Sequence, residues 1–552
     1  MVVHGFLDTT IIICPEVRVM GVKIQTEELK KILAENPKYR EMLFRRGYLL
    51  TDGSFDMEAY PFYGLWTSSR LGSYSLFVQK EQTHYIQQSS GISVAIIGHA
   101  YNPFDMTYDE NKLCLDLISA YRTGIPAFFD KVSEFSGLHI ILLSDGEKLL
   151  AVQDACGLTG CYFAKIHGIT CISEHAQMIA DLFALKMDPM VEKLVQTKCY
   201  NIGNRHLPGD LTPYQEVRRL GGNTYLQVQN GFSVKRFYPV APHPEFTSDA
   251  EKEAGIAKIG DLIHNGIACC ANKWNRCAIS LSGGTDSKTT LACANGLYDR
   301  FSFFSFHSKP QELVDAIGAK KICEELRLKH TLYHIPEENT DMPGFETVKT
   351  ILNHNTAYFV NLADNEIRKY LYLHDLDAYD IELKSWASET TRVFFERKYR
   401  LKMPKTLNER HCSIFQTRFF GHPSLLRWAD REYYRFLRSI KLEKPLFNFE
   451  HTDLIYWEIR MGCWGVSVIS SQQLYHRMTM PMNNRKILEL FLSFPHDERK
   501  TDSVHKRIMA YENPAVVDAH VEIQNLYFHG YRIWMEKLYF LFRTAFYHAK
   551  KP

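Results

Sequence analysis

No stretch of this 552-residue chain reaches the roughly 18 consecutive apolar residues that a membrane-spanning helix needs, so no bilayer span is expected. Thirteen cysteines are present, yet none form a CxxC pair, and Cys156 and Cys161 lack a His or Cys pair at zinc-finger distance. Zinc is therefore not expected. An excess of one charge is also missing: 65 Lys and Arg stand against 63 Asp and Glu, for a net charge of +2, and the basic residues do not gather in one block. That balance gives neither nucleic acid nor an anionic membrane a hold on the chain. Fixed-period repeats and low-complexity tracts are absent. The opening MVVHGFLDTTIIIC has neither the basic flank nor the long apolar core of a secretory leader. Together with the odd cysteine count, this gives the expectation of a reducing, cytoplasmic compartment in which thiols act as small core residues.

What the chain does have is ordinary globular content, 45% hydrophobic and 23% charged residues. Its length exceeds what one hydrophobic core serves, so two domains are expected. Up to about residue 240 it reads as short strands parted by Gly, Asp and Asn. In LHIILLSDGEKLLAVQD, two apolar runs flank Asp145-Gly146, a hairpin signal. PVAPHPEF, residues 239–246, puts three prolines in eight positions and reads as a connector, which divides the chain into 1–243 and 244–552. Beyond it, Ile256, Ile259, Leu262, Ile263 and Ile267 recur at helical spacing. RFSFFSFH, ELVDAIGAKKICEEL, HTLYHI and AYDIELKSW then alternate strand and helix, which predicts a parallel sheet covered by helices. From about residue 400 the pattern is helical and aromatic-rich. In the tail, aromatics at 527, 528, 531, 534, 539, 540, 542, 546 and 547 exceed one helical stripe, and burial in the helical lobe is expected rather than docking to a partner.

The stretch LSGGTDSKTT, residues 281–290, follows the apolar run Cys277–Ser280 and leads into helix-forming residues. Strand, Gly-rich turn and helix N-terminus make an anion site: glycines permit the turn, backbone N–H groups point inward, and the helix dipole adds positive potential. Hydroxyls of Ser282, Thr285 and Ser287 can donate to phosphate oxygens, and Asp286 can hold Mg²⁺, a cation that takes oxygen ligands. Lys288 is not preceded by Gly at Walker A spacing. The alternative is an ordinary Gly turn capping a helix.

Ser282-Gly283-Gly284-Thr285-Asp286-Ser287 resembles the SGGxDS pyrophosphate loop of the asparagine synthetase-like family, whose members split ATP between the α and β phosphates to make an acyl-adenylate. ELVDAIGAKKICEELRLKHTLYHI and PMNNRKILELFLSFPHDERKTDSVHKRIM are similar to later parts of that synthetase domain. SGLHIILLSDGEKLLAVQDACGLTGCYF, ISEHAQMIA and GDLTPYQEVRRLGGNTYL are similar to the family's glutamine amidotransferase domain of the N-terminal-nucleophile type. The resemblance implies an α/β protein: a degenerate, β-rich amidotransferase-like sandwich, then a parallel-sheet PP-loop synthetase domain with a helical C-terminal lobe.

Departures from the family pattern refine this expectation. A glutaminase of that type needs cysteine as its first mature residue, so that the α-amino group can serve as base. This chain begins Met1-Val2-Val3, and Cys14 lies in an apolar run that reads as buried strand. Related members without that cysteine, such as β-lactam synthetases and lasso-peptide cyclases, use an amine already on the substrate. At the family's second signature stands Leu383-Lys384-Ser385-Trp386-Ala387-Ser388-Glu389-Thr390. There Glu389 takes the metal-binding position, or is simply a helix N-terminal acid, and Trp386 replaces the acidic or phenolic residue that helps deprotonate the amine, which an indole cannot do. Lys506 matches the family's C-terminal lysine, which neutralises leaving-group charge, with Lys500 and Arg507 close by in sequence. Lys288 is a further phosphate candidate.

The resemblance thus implies an ATP- and Mg²⁺-dependent carbon–nitrogen ligase acting on a small-molecule or peptide carboxylate. Ser282, Gly283, Gly284, Thr285, Asp286 and Ser287 would bind nucleotide, Asp286 and Glu389 the metal, and Lys506 and Glu389 would serve catalysis. The general base is unassigned, Glu382 being one option. An ammonia-using synthetase, a sulfur-transferring relative and a non-enzymatic binding protein stay open, as does a homodimer or a pathway-enzyme partner.

Overall fold

The structure is a computed structural model that describes residues 26–197, 200, 206–357, 362–416, 423–519 and 530–545. Cys14 lies outside these residues. In chain order the front half supplies β1 (Tyr48–Thr51), β2 (Trp66–Leu71), β3 (Tyr74–Gln79), β4 (His84–Ser89), β5 (Ile92–Tyr101) and β6 (Ser136–Ser144). It continues with β7 (Leu149–Gln153), β8 (Tyr162–Ile166), β9 (Ile169–Ser173), β10 (Arg218–Arg219), β11 (Thr224–Val228) and β12 (Phe232–Arg236). They build two six-stranded antiparallel sheets, ordered β10-β8-β9-β1-β3-β2 and β12-β11-β7-β6-β5-β4.

Leu50, Leu76, Val78 and Ile172 of the first sheet meet Ile97, Ile140, Leu142 and Leu226 of the second in one apolar layer. Helices cover the outer faces: Glu110–Thr123 lies against β4 and β5, and Ala176–Phe183 against β8 and β9. This explains why β5 and β6 read as nearly continuous apolar runs, since both of their faces are buried. The β6–β7 hairpin forms at Asp145-Gly146, with Gly146 at φ +90° and Asp145 Oδ1 accepting from the N–H groups of Glu147 and Lys148.

Residues 239–246 contain no regular element. The helix Asp249–Lys273 follows, started by a Ser248/Glu251 capping box and burying the five periodic apolar residues from Ile256 to Ile267. Strands β13 (Cys277–Ser280), β14 (Phe301–His307), β15 (His330–His334), β16 (Ile381–Leu383) and β17 (Arg477–Thr479) form a parallel sheet in the order β15-β14-β13-β16-β17. The protein is therefore mixed α/β, two antiparallel sheets plus one parallel sheet among many helices.

The halves on either side of the connector share a core. One apolar cluster runs from Leu29 to Phe540. Arg236 grips Glu458 with two hydrogen bonds of 2.7 Å, Tyr101 Oη lies 3.0 Å from Thr479 Oγ1, and Asn483 Nδ2 donates to the Gly137 carbonyl at 2.8 Å. All described cysteines are buried and reduced, as small core residues. The tail departs from expectation. In the helix Gly530–Ala545, Phe540 is buried against Tyr399 and Phe415, but Tyr531, Trp534 and Phe542 are 60–63% exposed. One face of that helix satisfies the lobe, and the other carries its aromatics outward. No helix among the described residues is long and apolar enough to cross a membrane.

Candidate functional site

Strand β13 has β14 on one side and β16 on the other. The chain passes from β13 to β14 through the helix Thr285–Cys293, and returns on the opposite side only at β16. Strand order reverses there, so a crevice opens beyond the carboxyl ends of β13 and β16, where open α/β sheets take ligands. The glycine turn of residues 282–287 leaves β13 at that point, and Lys384-Ser385-Trp386 leaves β16.

Cys277, Ala278 and Ile279 are buried, as a central parallel strand requires. The turn is then fixed by its own hydroxyls. Ser287 Oγ donates to the Ser282 carbonyl at 2.7 Å and accepts from the Ser282 N–H at 3.2 Å, while Ser282 Oγ accepts from the Gly284 N–H at 3.2 Å. The Gly283 N–H donates to the Asp315 carbonyl at 3.1 Å. Both serines thus shape the loop. Lys288 makes the first intrahelical bond, to the Gly284 carbonyl, so the N–H groups of Thr285, Asp286 and Ser287 have no acceptor within the helix. These donors and the dipole behind them are what the turn offers an anion.

Asp286 and Glu389, 103 positions apart in sequence, converge on one guanidinium. Arg392 Nη1 donates to Asp286 Oδ2 at 2.7 Å and to Glu389 Oε2 at 2.9 Å. Its Nε and Nη2 donate to the two carboxylate oxygens of Asp502 at 2.8 and 2.7 Å. Arg397 adds a contact of 3.1 Å to Asp502, and the Ser388 hydroxyl donates to Asp286 Oδ1. Three carboxylates therefore share two guanidiniums. Burial pushes Glu389 up, and Asp286 and Asp502 reinforce this against Arg392. Asp502 goes the other way: burial opposes its charge, but Arg392 holds it below the ordinary carboxylate range. Asp502 also has φ +60° just before the helix Ser503–Glu512, a left-handed conformation that aspartate tolerates.

Mg²⁺ takes hard oxygen donors, which Asp286 and Glu389 supply. The position between their oxygens, however, belongs to Arg392 Nη1, and no group of three or more metal-ligating side chains occurs among the described residues. As arranged, the pair fits a guanidinium and does not fit a metal ion between them.

Lysines supply the positive charge that remains. The helix Ser503–Glu512 packs along Thr285–Cys293, bringing the exposed Lys506 into electrostatic range of the half-buried Lys288. Burial, then the charge of Lys506, lowers Lys288. Neither has an ion-pair partner among the described residues. Lys500 is bound to Glu396 at 2.9 Å, and Arg507 to Glu253 and Glu498 at 2.7 and 3.0 Å. Of the three basic residues left open by sequence, Lys506 is the one without a carboxylate among the described residues.

Glu382 is fully buried on β16, 2.6 Å from Lys384 Nζ and 2.6 Å from His476 Nε2. Burial would raise it, but Lys384 and His476 outweigh burial and hold it down at about 2. A carboxylate so committed is a poor base. Trp386 stacks on Trp464 at 5.6 Å and 16°, and Trp464 belongs to the π-helical stretch Tyr456–Gly465. The structure brings Asp286 and Glu389 together on Arg392, while Glu382 is held by Lys384 and His476. Arg392, Arg397, Ser388 and Asp502 are members that sequence reasoning missed. The three-residue step from Glu389 to Arg392 was the available signal, an ion-pair spacing on one helical turn.

No protein-family model matches the chain, and no curated protein does. Among solved structures, the glutamine phosphoribosylpyrophosphate (PRPP) amidotransferase of B. subtilis, complexed with ADP and GMP, is similar over 55% of this chain and 62% of its own, at 9% identity and a TM-score of 0.22. A structure described as the allosteric regulatory enzyme of purine biosynthesis is similar over 50% of this chain and 62% of its own, at 8% identity and a TM-score of 0.23. The match thus spans about three fifths of each of those proteins. Likeness at this level adds no argument about fold or activity.

Proposed function

We propose that the chain is an ATP-dependent amide-forming ligase. A carboxylate oxygen of a small-molecule or peptide substrate attacks the α phosphorus of ATP, the bond to the β-bridging oxygen breaks, and pyrophosphate leaves. An amine from a source other than glutamine then attacks the acyl carbon, forming the amide as AMP departs.

One observation carries this reading: the Ser282–Ser287 turn lies at the strand-order reversal, with helix N–H groups that lack an intrahelical acceptor and with Lys288 and Lys506, which have no ion-pair partner among the described residues, close to it. Phosphate oxygens would be bound by the N–H groups of Thr285, Asp286 and Ser287, with Gly283 and Gly284 allowing close approach. Lys506 and Lys288 would offset the charge that builds on departing pyrophosphate. ATP is expected as its magnesium salt. Asp286 and Glu389 would fix Arg392, whose guanidinium is then the cation they hold. No side chain is assigned as base, since Glu382 is committed elsewhere and Trp386 carries no basic atom.

The test is exchange of labelled pyrophosphate into ATP, screened over candidate acids. Exchange with one acid supports adenylation, and amide formation from free ammonium alone would reassign the amine. Exchange with none, in protein that binds ATP, favours a non-enzymatic binding protein, a reading that the Arg392 closure of Asp286 and Glu389 also supports.

A further inference from the structure

Away from that crevice, a small cavity of about 20 Å³ lies at the junction between the second antiparallel sheet and β17, room for one water-sized or monatomic species. Arg46 enters from the segment before β1, His99 from β5, Arg477 from β17 and Glu174 from the turn after β9. Four buried polar atoms of these side chains have no hydrogen-bond partner among the described residues: Arg46 Nε, His99 Nε2, Arg477 Nε and Glu174 Oε2. Arg46 is 6% exposed and His99 5%, so bulk water does not satisfy them.

The guanidinium groups cannot easily turn away. Arg46 Nη1 donates to the carbonyl oxygens of Gln473, at 2.8 Å, and Tyr475, and Arg477 Nη2 donates to the Glu81 carbonyl. Charge is out of balance as well. Arg45, Arg46 and Arg477 gather around one carboxylate, Glu81, which lies 2.7 Å from Arg45 and 3.7 Å from Arg46. Burial, followed by Arg45 and Arg477, drives Arg46 well below its ordinary value, the behaviour of a guanidinium short of a counter-ion. Across the cavity, burial raises Glu174 well above the ordinary carboxylate value, and its Oε1 accepts from the Gly160 N–H at 2.9 Å.

We propose that this cavity is a built site for a small anion of chloride size, held by the Nε–H groups of Arg46 and Arg477 and by His99 in its Nε2–H tautomer. Three donors beside guanidinium groups that share the single carboxylate of Glu81 with Arg45 favour an anion over water, which would add no negative charge. The anion would fasten the front sheets to β17, the last strand of the parallel sheet.

The test combines two readouts on the full chain. Crystals grown in sodium bromide, measured at the bromine edge, should show an anomalous peak between Arg46 Nε and Arg477 Nε. Thermal melting in sodium chloride or bromide should exceed that in sodium gluconate of equal ionic strength by roughly 2–4 °C. In Arg477→Gln the halide-dependent increment should vanish while a cooperative melt remains. If the variant fails to fold, the wild-type anomalous map still decides. Cavity density without anomalous signal means ordered water and overturns the proposal. Bromide at the surface only, or equal melting in halide and gluconate, overturns it too.

Discussion

Replacing Arg392 with glutamine removes the one side chain that touches all three carboxylates of the candidate site. Arg392 is 7% exposed and makes four hydrogen bonds of 2.7–2.9 Å to Asp286, Glu389 and Asp502. Deleting one partner of a buried charge network costs about 3–5 kcal/mol, because the groups left behind are uncompensated. A solvated pair would cost about 0–1 kcal/mol. Urea unfolding at pH 7 followed by tryptophan fluorescence separates these cases, with Trp386 and Trp464 as near reporters. The pH dependence gives a second handle. Asp502 has a depressed pKa, so its contribution is complete above the unfolded value near 4 and is lost as pH falls through the lower folded value. Glu389 has a raised pKa, so the repulsion exposed in the variant is relieved once acid protonates it. The gap between wild type and Arg392→Gln should therefore narrow first as acid protonates Glu389 and again below about pH 4, where the Asp502 contribution is lost. A gap below about 1 kcal/mol at pH 7 that does not change with pH would refute the reasoning and make the cluster a solvated surface network.

Glu382→Gln should lower stability at pH 7 by about 3–5 kcal/mol, since it leaves the buried Lys384 and His476 without their shared carboxylate. Because Lys384 and His476, overcoming burial, hold Glu382 down at about 2, that contribution is present above the unfolded value and fades as pH falls toward about 2, so urea unfolding at pH 7 and pH 3 should show a smaller difference in acid. Gly98→Ala should lose at least about 2 kcal/mol in a thermal melt, for the residue has φ +91° and an added Cβ would lie 2.3 Å from the Leu138 carbonyl oxygen. Gly91→Ala, at φ +79° with nothing within 4 Å, should lose only about 1 kcal/mol. Lys506→Met should weaken pyrophosphate binding about tenfold in calorimetric titration, while Lys500→Met, which breaks a pair with Glu396 instead, should leave it nearly unchanged.

Local signals were legible where a short-range period decides the structure. The five apolar residues from Ile256 to Ile267 gave the helix Asp249–Lys273, and Asp145-Gly146 gave the β6–β7 hairpin. The alternation after residue 300 gave β14, the helix Pro310–Glu325 and β15. That residues 239–246 hold no regular element was legible too, but the core shared across them was not, because composition says nothing about which apolar faces meet. The tail aromatics misled for the same reason: Phe540 packs on Phe415 while Trp534 stays exposed among the described residues, and only tertiary packing separates them. At the site, the residues of the glycine turn pointed to Asp286, and the family resemblance pointed to Glu389. It could not show that Asp502, 110 positions beyond Arg392, supplies the third carboxylate of the same guanidinium. Two carboxylates in a half-buried crevice do demand a positive neighbour, and metal was only one way to meet that demand.

The central claim is that the glycine turn and the first helical turn at Thr285 take the phosphates of a nucleotide. Calorimetric titration of the purified chain with magnesium-ATP tests it most directly, paired with amide hydrogen exchange over residues 281–290. The account predicts one saturable site per chain with Kd in the range of about 1 μM–1 mM, together with slowed exchange at Thr285, Asp286 and Ser287. An absence of binding heat, with exchange at those three amides unchanged by saturating nucleotide, would contradict it.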